Sequence, residues 1–332
     1  MNPPVAVAIG DPNGIGPEIA VKAAAARAAA AAPIVVGDPA VVRWYAERVA
    51  PGVPVHLLAD DARETRFGAI NVYGAGALPT GAFRPGVVDA AAGAATVAAV
   101  ESALALVRRG IARAIVACPH SETAVNAAGI AFRGYPSLLA RLLGIGEDRV
   151  FLMLAGGGLR IAHATLHERL ADALARLSSE IVEACARAAA ETLQLLGVRR
   201  PRIGIMAINP HAGEGGLFGD DDERVTVPAA ARLRAAGVDA DGPTGADALL
   251  ARRDRDAYVA MYHDQGHIPV KLLAPHASAA LAIGAGVLFS SVGHGSAFDI
   301  AGRGVADPAA TLHAIDLLSS AASSPAAAVR SP

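Results

Sequence analysis

Ten histidines occur in the 332 residues, and three of them close runs that read as strands. His167 closes RIAHATLH, His211 follows GIMAINP in NPHAGEGG, and His263 follows AYVAMY in HDQGH. In open α/β sheets, ligands gather beyond the carboxyl ends of the strands. Three imidazoles there, with one coordination position open, make a Lewis-acid metal site. Three nitrogen donors suit zinc, with Mn, Co or Ni as alternatives and Mg disfavoured. Asp247 and Asp264 are acidic candidates for orienting those ligands or handling a proton. A solitary histidine is more often a hydrogen-bonded structural residue, and His56, His276 and His313, which lack this context, are assigned that role.

Of 29 Lys and Arg residues, only Lys22 and Lys271 are lysines, so an amine is the exception here. Lys22 reads as a solvated helix residue. Lys271 lies in an apolar stretch, where it could pair with a carboxylate or relay a proton. Two glycine-rich motifs complete the set. In GDPNGIGPEI (residues 10–19) a strand feeds a turn and then a helix with proline in its first turn. The helix N-terminus there, near Gly14, can receive an anion or a cofactor edge. The motif is not a Rossmann fingerprint, because the third glycine is absent and no acidic residue follows a second strand at the right distance. In HGSAFDIAGRGVADP (residues 294–308), small residues let backbone approach a flat ligand closely. The cofactor candidates are therefore Gly14, His294, Gly295, Ser296, Ala297 and Asp299, the last as an acceptor for ribose hydroxyls.

Short β-branched runs alternate with long Ala/Leu/Arg stretches. VAVAI, PIVVGD, ARAIVACP, PRIGIMAINP and AYVAMYHD read as strands. RVFLML and LRIAHATLH read as a pair. Residues 91–109 and 170–196 read as helices. Such alternation predicts an α/β fold with mostly parallel sheets. Hydrophobic residues make up 53%, enough for a sizeable core. A net charge of -2 gives no case for nucleic acid or an anionic membrane, and 4% aromatics supplies few base-stacking platforms. Two distant cysteines, Cys118 and Cys185, make neither a disulfide framework nor a zinc knuckle. The first residues lack the regions of a signal peptide, and no run reads as a membrane span, so a cytoplasmic protein is expected. The Ser/Ala/Pro-rich tail after about Leu318 is expected to fray.

The two glycine-rich motifs resemble the GDGIGPE turn and the HGSAPDIAGKGIANP loop of the isocitrate/isopropylmalate dehydrogenase superfamily. That resemblance implies an isocitrate/isopropylmalate dehydrogenase-like fold, with two α/β domains flanking a cleft and the second loop around the adenosine of NAD. A closer resemblance, to the 4-hydroxythreonine-4-phosphate dehydrogenase family, covers nearly the whole chain. It is carried by GDPNGIGPEIAVKA, VNAAGIAFRGYPSLLA, LRIAHATLH, INPHAGEGGLFG, GPTGADALL, MYHDQGHIPVK and AGRGVAD. It implies a homodimer with active sites at the interface. The metal histidines would come from both subunits and fall on His167, His211 and His263. It also implies a first domain of residues 1–128 plus 270–332 and a second of 129–269 carrying the metal ligands. No partner for a 2'-phosphate is evident, so NAD is the expected cofactor.

The departures from the family carry the substrate reading. Its phosphate site has a His-Thr pair where this chain has Tyr135 and Pro136. It has asparagine at Ala280 and arginine at Phe289, and only its lysine remains, as Lys271. Losing the guanidinium removes a bidentate phosphate clamp that phenylalanine cannot replace. GYPSLLA, VFLMLAGGGLRIAHATLHE and GHIPVKLLAP resemble the branch whose substrate is 1,2-dihydroxy-3,5-cyclohexadiene-1,4-dicarboxylate. Tyr135 and Phe289 would then flank a ring, Lys271 would hold a carboxylate, and Arg133 and His267 would meet the distal carboxylate. The alternatives are a dehydrogenase of another β-hydroxy acid, such as 4-phosphohydroxy-threonine or a sugar-acid phosphate, and a non-catalytic protein that binds NAD or metal.

Overall fold

The computed structural model describes residues 3–319 apart from 60, 63, 276 and 277. His276 and the tail beyond Ser319 therefore lie outside the described residues. The described strands are β1 (Val5–Ala8), β2 (Ile34–Gly37), β3 (Val55–Leu57), β4 (Ile70–Gly74), β5 (Ala114–Ala117), β6 (Phe151–Gly156), β7 (Leu159–His163), β8 (Arg202–Met206), β9 (Asp239–Thr244), β10 (Ala257–Ala260), β11 (Ala279–Ile283) and β12 (Phe289–Val292). The described helices are α1 (Gly16–Arg27), α2 (Pro39–Val49), α3 (Ala90–Arg108), α4 (Glu122–Ala127), α5 (Tyr135–Leu143), α6 (Leu170–Arg176), α7 (Ser179–Leu195), α8 (Asp221–Arg224), α9 (Thr226–Ala235), α10 (Ala246–Arg252), α11 (His263–Leu273) and α12 (Ala309–Ser319).

The chain divides into two compact units. The first holds residues 3–138 and 288–319, the second Leu139–Val287. The crossings fall at 138/139 and 287/288 rather than at 128/129 and 269/270. Strand β11 pairs antiparallel with β6, and α11 packs on β6 and β7, so both stay with the second unit.

The first unit is built on parallel strands in the order β3-β4-β2-β1-β5-β12. Every residue of β1, β2 and β5 is buried, as parallel strands covered on both faces require. Helix α3 is long and apolar enough to cross a membrane, yet its buried face packs on β1, β2 and β5. Its apolarity is what a core helix needs.

In the second unit the order is β11-β6-β7-β10-β8-β9, with β7, β10, β8 and β9 parallel and β6 antiparallel to both its neighbours. The β6–β7 hairpin turns on Gly157 and Gly158, at φ 58° and 78°. Two positive φ values in a two-residue loop match the strand twist and favour glycine. A Cβ on Gly157 would also stand 2.4 Å from Leu273 Cβ. Leu154, Ile161, Met206, Leu249, Tyr258 and Val270 form the core beneath.

The single helix predicted over 170–196 is two helices. The backbone turns extended at Leu177, and Ser178 caps α7 by accepting from Ile181 N at 3.4 Å. A serine cap of this kind starts a new helix rather than continuing the old one.

Candidate active site

The second unit gathers four imidazoles. His163 ends β7, and His167 follows four residues later on the exposed continuation. His263 opens α11 directly after β10, and His267 stands one turn on, so i,i+4 spacing places both on one helix face. Their rings stack at 3.7 Å and 15°. His167 lies 5.4 Å from His263 and His163 lies 4.6 Å from His267, ring centre to ring centre. Lys271, one further turn along the same helix, donates to Ser278 Oγ at 3.0 Å. The entry of α11 is held by Gln265, whose Oε1 accepts from Met261 N at 2.7 Å and whose Nε2 donates to Ala207 O at 2.8 Å.

His263 Nδ1 donates to Asp264 Oδ1 at 2.6 Å, which leaves Nε2 as the lone-pair nitrogen. A carboxylate behind an imidazole is the arrangement that fixes a metal-ligating histidine. His167, His263 and Asp264 line one cavity of about 300 Å³, with Leu166, Leu170 and Tyr262. Burial pushes the His163 ring down to about 3 and the His267 ring down to about 4, so both are neutral at neutral pH. Asp247 is exposed in the first turn of α10.

His211 is placed differently. Buried Asp222 pins the chain leaving β8, accepting from Ile208 N and Asn209 N at 2.9 Å each. Beyond that pin, His211, Ala212 and Glu214 all take positive φ, between 46° and 56°. Left-handed non-glycine residues cost energy and cluster at functional sites. The His211 side chain is 73% exposed, with Nδ1 3.3 Å from Glu214 Oε2. Among the described residues no group of three His, Cys, Asp or Glu side chains is arranged to hold an ion. His167 and His263 thus fit a metal in donor type, and the chain alone does not bring His211 to them.

The first unit carries the two glycine-rich motifs as one packed structure. Ile15 N donates to Ser296 O at 2.9 Å, and a Cβ on Gly14 would stand 2.9 Å from Ser296 Cβ. Ser296 is buried, and its Oγ has no hydrogen-bond partner among the described residues. Ala297 takes φ 39°. His294, Gly295 and Asp299 are exposed. A buried hydroxyl awaiting a partner beside exposed small residues fits a bound polar cofactor.

Lys22 is not the solvated residue its position in α1 predicts. Its Nζ donates to Glu18 Oε1, Gly304 O and Ala306 O at 2.7–2.9 Å. Fully buried Glu18 also accepts from Gly304 N and Ala306 N. The first helix is latched to the end of the second glycine-rich motif.

Tyr135 and Phe289 are buried and face each other, ring centres 5.3 Å apart. They sit in the core of the first unit rather than offering open ring faces. Tyr135 OH donates to Cys118 O at 2.7 Å, and burial raises its pKa well above 10. His120 packs edge-on against Phe132 and Tyr135, and burial pushes it down to about 4. Arg133 is exposed at the start of the same segment.

Asp11, in the first glycine-rich turn, is fully buried. Its Oδ1 accepts from Asn13 N at 2.9 Å, and Oδ2 has no partner among the described residues. Burial pushes the carboxyl up from 3.8 to about 6. The ionised form is the costly one in the fold, so stability is full below pH 3.8 and falls as pH rises toward 6. Asp11→Asn keeps the Oδ1 acceptor and removes the charge. Its unfolding free energy from urea titration is expected to match wild type below about pH 4 and to exceed it above about pH 6, by roughly 2–3 kcal/mol. A difference that stays flat across that range would exclude Asp11 as the titrating group.

His163, Asp222, Asp11 and the Glu18–Lys22 latch are absent from the sequence-derived candidates. A histidine on the apolar face of a strand, and a buried acid in a turn, were the signals available for the first and third. Comparison with known proteins now bears on this geometry. The chain is 50% identical over 316 residues to a 1,2-dihydroxy-3,5-cyclohexadiene-1,4-dicarboxylate dehydrogenase from Comamonas sp., covering 95% of this chain and 96% of that one. The crystal structure of a terephthalate 1,2-cis-dihydrodiol dehydrogenase from Burkholderia xenovorans LB400 matches with 55% identity and a TM-score of 0.75, covering 95% and 97%. That of a 4-hydroxythreonine-4-phosphate dehydrogenase from Klebsiella pneumoniae matches with 35% identity and a TM-score of 0.87, covering 96% and 98%. With relatives of this kind, the chain is a dehydrogenase of mixed α/β fold. It belongs to the pyridoxal phosphate biosynthetic protein PdxA family, whose model matches residues 29–318.

Proposed function

We propose that the chain oxidises and decarboxylates 1,2-dihydroxy-3,5-cyclohexadiene-1,4-dicarboxylate with NAD and a divalent metal, zinc by preference. The observation that carries this reading is the uncharged pair Tyr135 and Phe289, buried 5.3 Å apart at the positions where the resemblance implies phosphate ligands. The Comamonas relative is named as a dehydrogenase of this same compound. The reaction removes a hydride from the C2 carbinol and the hydroxyl proton. The resulting β-keto acid loses its C1 carboxylate as CO2, and the remaining enol is aromatic 3,4-dihydroxybenzoate.

His167 and His263, with His211 from a second copy, would hold the ion, and Gly14 with residues His294, Gly295, Ser296, Ala297 and Asp299 would seat the NAD. Such an ion supplies Lewis-acid stabilisation of developing negative charge, and NAD takes the hydride. Lys271, on the face of α11 that carries His263 and His267, offers an ammonium to a substrate carboxylate. Asp264 orients His263 through its 2.6 Å hydrogen bond. Asp247 is kept as a proton-handling candidate and Arg133 as a partner for the distal carboxylate. The homodimer is supported by exposed apolar side chains around the histidines, including Leu170 on α6, Leu217 and Phe218 beside His211, and Ile268 and Leu272 on α11.

Purified protein given NAD and the dihydrodiol is expected to form NADH, CO2 and 3,4-dihydroxybenzoate in equal amounts. Turnover of 4-phosphohydroxy-threonine with none of the diol would overturn the substrate.

A further inference from the structure

We infer that His267 presents a hydrogen-free Nε2 to the substrate, as the acceptor for a hydroxyl hydrogen, and that His163 is the positioning residue that fixes it in this tautomer. The substrate half of this inference rests on the dihydrodiol reading above.

Hydrogen-bond direction decides both rings. His163 Nδ1 lies 3.1 Å from Leu152 O. A carbonyl oxygen only accepts, so Nδ1 carries the hydrogen. His267 Nδ1 lies 3.0 Å from His163 Nε2 and 3.2 Å from His263 O. The second of these can only accept, so His267 Nδ1 also carries its hydrogen. A further hydrogen on His163 Nε2 would point at that N–H across 3.0 Å, so His163 is the neutral acceptor in the pair. The chain runs Leu152 O, His163, His267, and each ring passes its orientation to the next. His267 Nε2, the other ring nitrogen, has no hydrogen bond among the described residues. Gly266 makes the contact possible: a Cβ there would stand 2.4 Å from His163 Nε2.

A lone-pair nitrogen pairs with O–H and is repelled by a carboxylate, which has only acceptors. The tautomer therefore assigns His267 a substrate hydroxyl rather than the distal carboxylate. Terephthalate has the two carboxylates of the dihydrodiol and neither hydroxyl, so the two ligands separate the contacts.

Calorimetry with the protein as isolated, metal included, tests this. His267→Phe is expected to weaken dihydrodiol binding by about tenfold and to leave terephthalate within about twofold. His163→Leu should reproduce that selective loss, and His163→Gln, which keeps an acceptor toward His267, should recover part of it. Equal losses for both ligands, or loss of bound metal from His267→Phe, overturn the inference. Imidazole nitrogen NMR on histidine-labelled wild type reads the tautomer itself, and a hydrogen found on His267 Nε2 overturns it whatever the affinities. Wild-type protein that binds neither ligand refutes the substrate reading, while the NMR still decides the tautomer.

Discussion

His263→Ala and His211→Ala each lower kcat/KM by about a thousandfold, and a dimer holding one chain of each regains about half the wild-type rate. The first number follows from the roughly 4 kcal/mol of charge stabilisation a Lewis acid contributes, at 1.36 kcal/mol per factor of about ten. The second follows from the geometry of the histidines. His167 and His263 meet within one chain, 5.4 Å apart, whereas His211 stands 73% exposed on its strained loop beyond the Asp222 pin. In the proposed homodimer a second copy would supply the missing imidazole. In the mixed dimer one site then has all its ligands and the other lacks two. Co-expression with two different tags isolates that dimer. A doubly tagged dimer as inactive as its parents would place all three histidines in a single chain.

Glu18→Ala has the largest expected effect on stability. Glu18 is wholly buried, and it neutralises Lys22 while accepting from Gly304 N at 3.1 Å and Ala306 N at 2.7 Å. Alanine leaves an ammonium and two backbone N–H groups without that carboxylate. Breaking a buried pair by removing one partner costs about 3–5 kcal/mol, because the remaining charge stays uncompensated. A loss of that size lowers the melting temperature by roughly 10 °C in a domain of this scale. Lys22→Met is expected to cost less, since the Lys22 side chain is 20% exposed and the carboxylate keeps its two backbone donors. Thermal melts of the two variants give the comparison. A melting point for Glu18→Ala within about 2 °C of wild type would show that the latch contributes nothing. NAD affinity should fall alongside stability, because the latch closes on the stretch that follows the 294–299 loop.

Strands such as VAVA and AIVA were legible because continuous β-branched runs between turns have few other uses. The break between α6 and α7 was not, because residues of good helix propensity lie on both sides of Ser178 and hide the cap. The crossings at 138/139 and 287/288 were not legible for a different reason: β11 belongs with β6 through antiparallel pairing that no local pattern announces. Of the three strand-end histidines, His167 and His263 come together in space and His211 does not, while i,i+4 spacing placed His263 and His267 on one helix face. What one chain's pattern does not encode is distance in space. Lys22 meets Gly304 and Ala306, and His163 meets His267, across separations that periodicity cannot bridge.

The first unit is made from two separate segments of the chain, with β12 lying against β5 and the whole second unit inserted between them in sequence. A ribosome therefore releases the second unit complete while the first still lacks its last strand. Domains fold as units, those nearer the N-terminus first as synthesis proceeds. Here that order is inverted, because residues 3–138 wait for 288–319. Glu18 stays without Gly304 and Ala306 until that point, and the turn at Gly14 stays without Ser296. The imidazole cluster of the second unit can assemble before residues 288–319 are made, whereas the packing of Gly14 and Ile15 against Ser296 cannot.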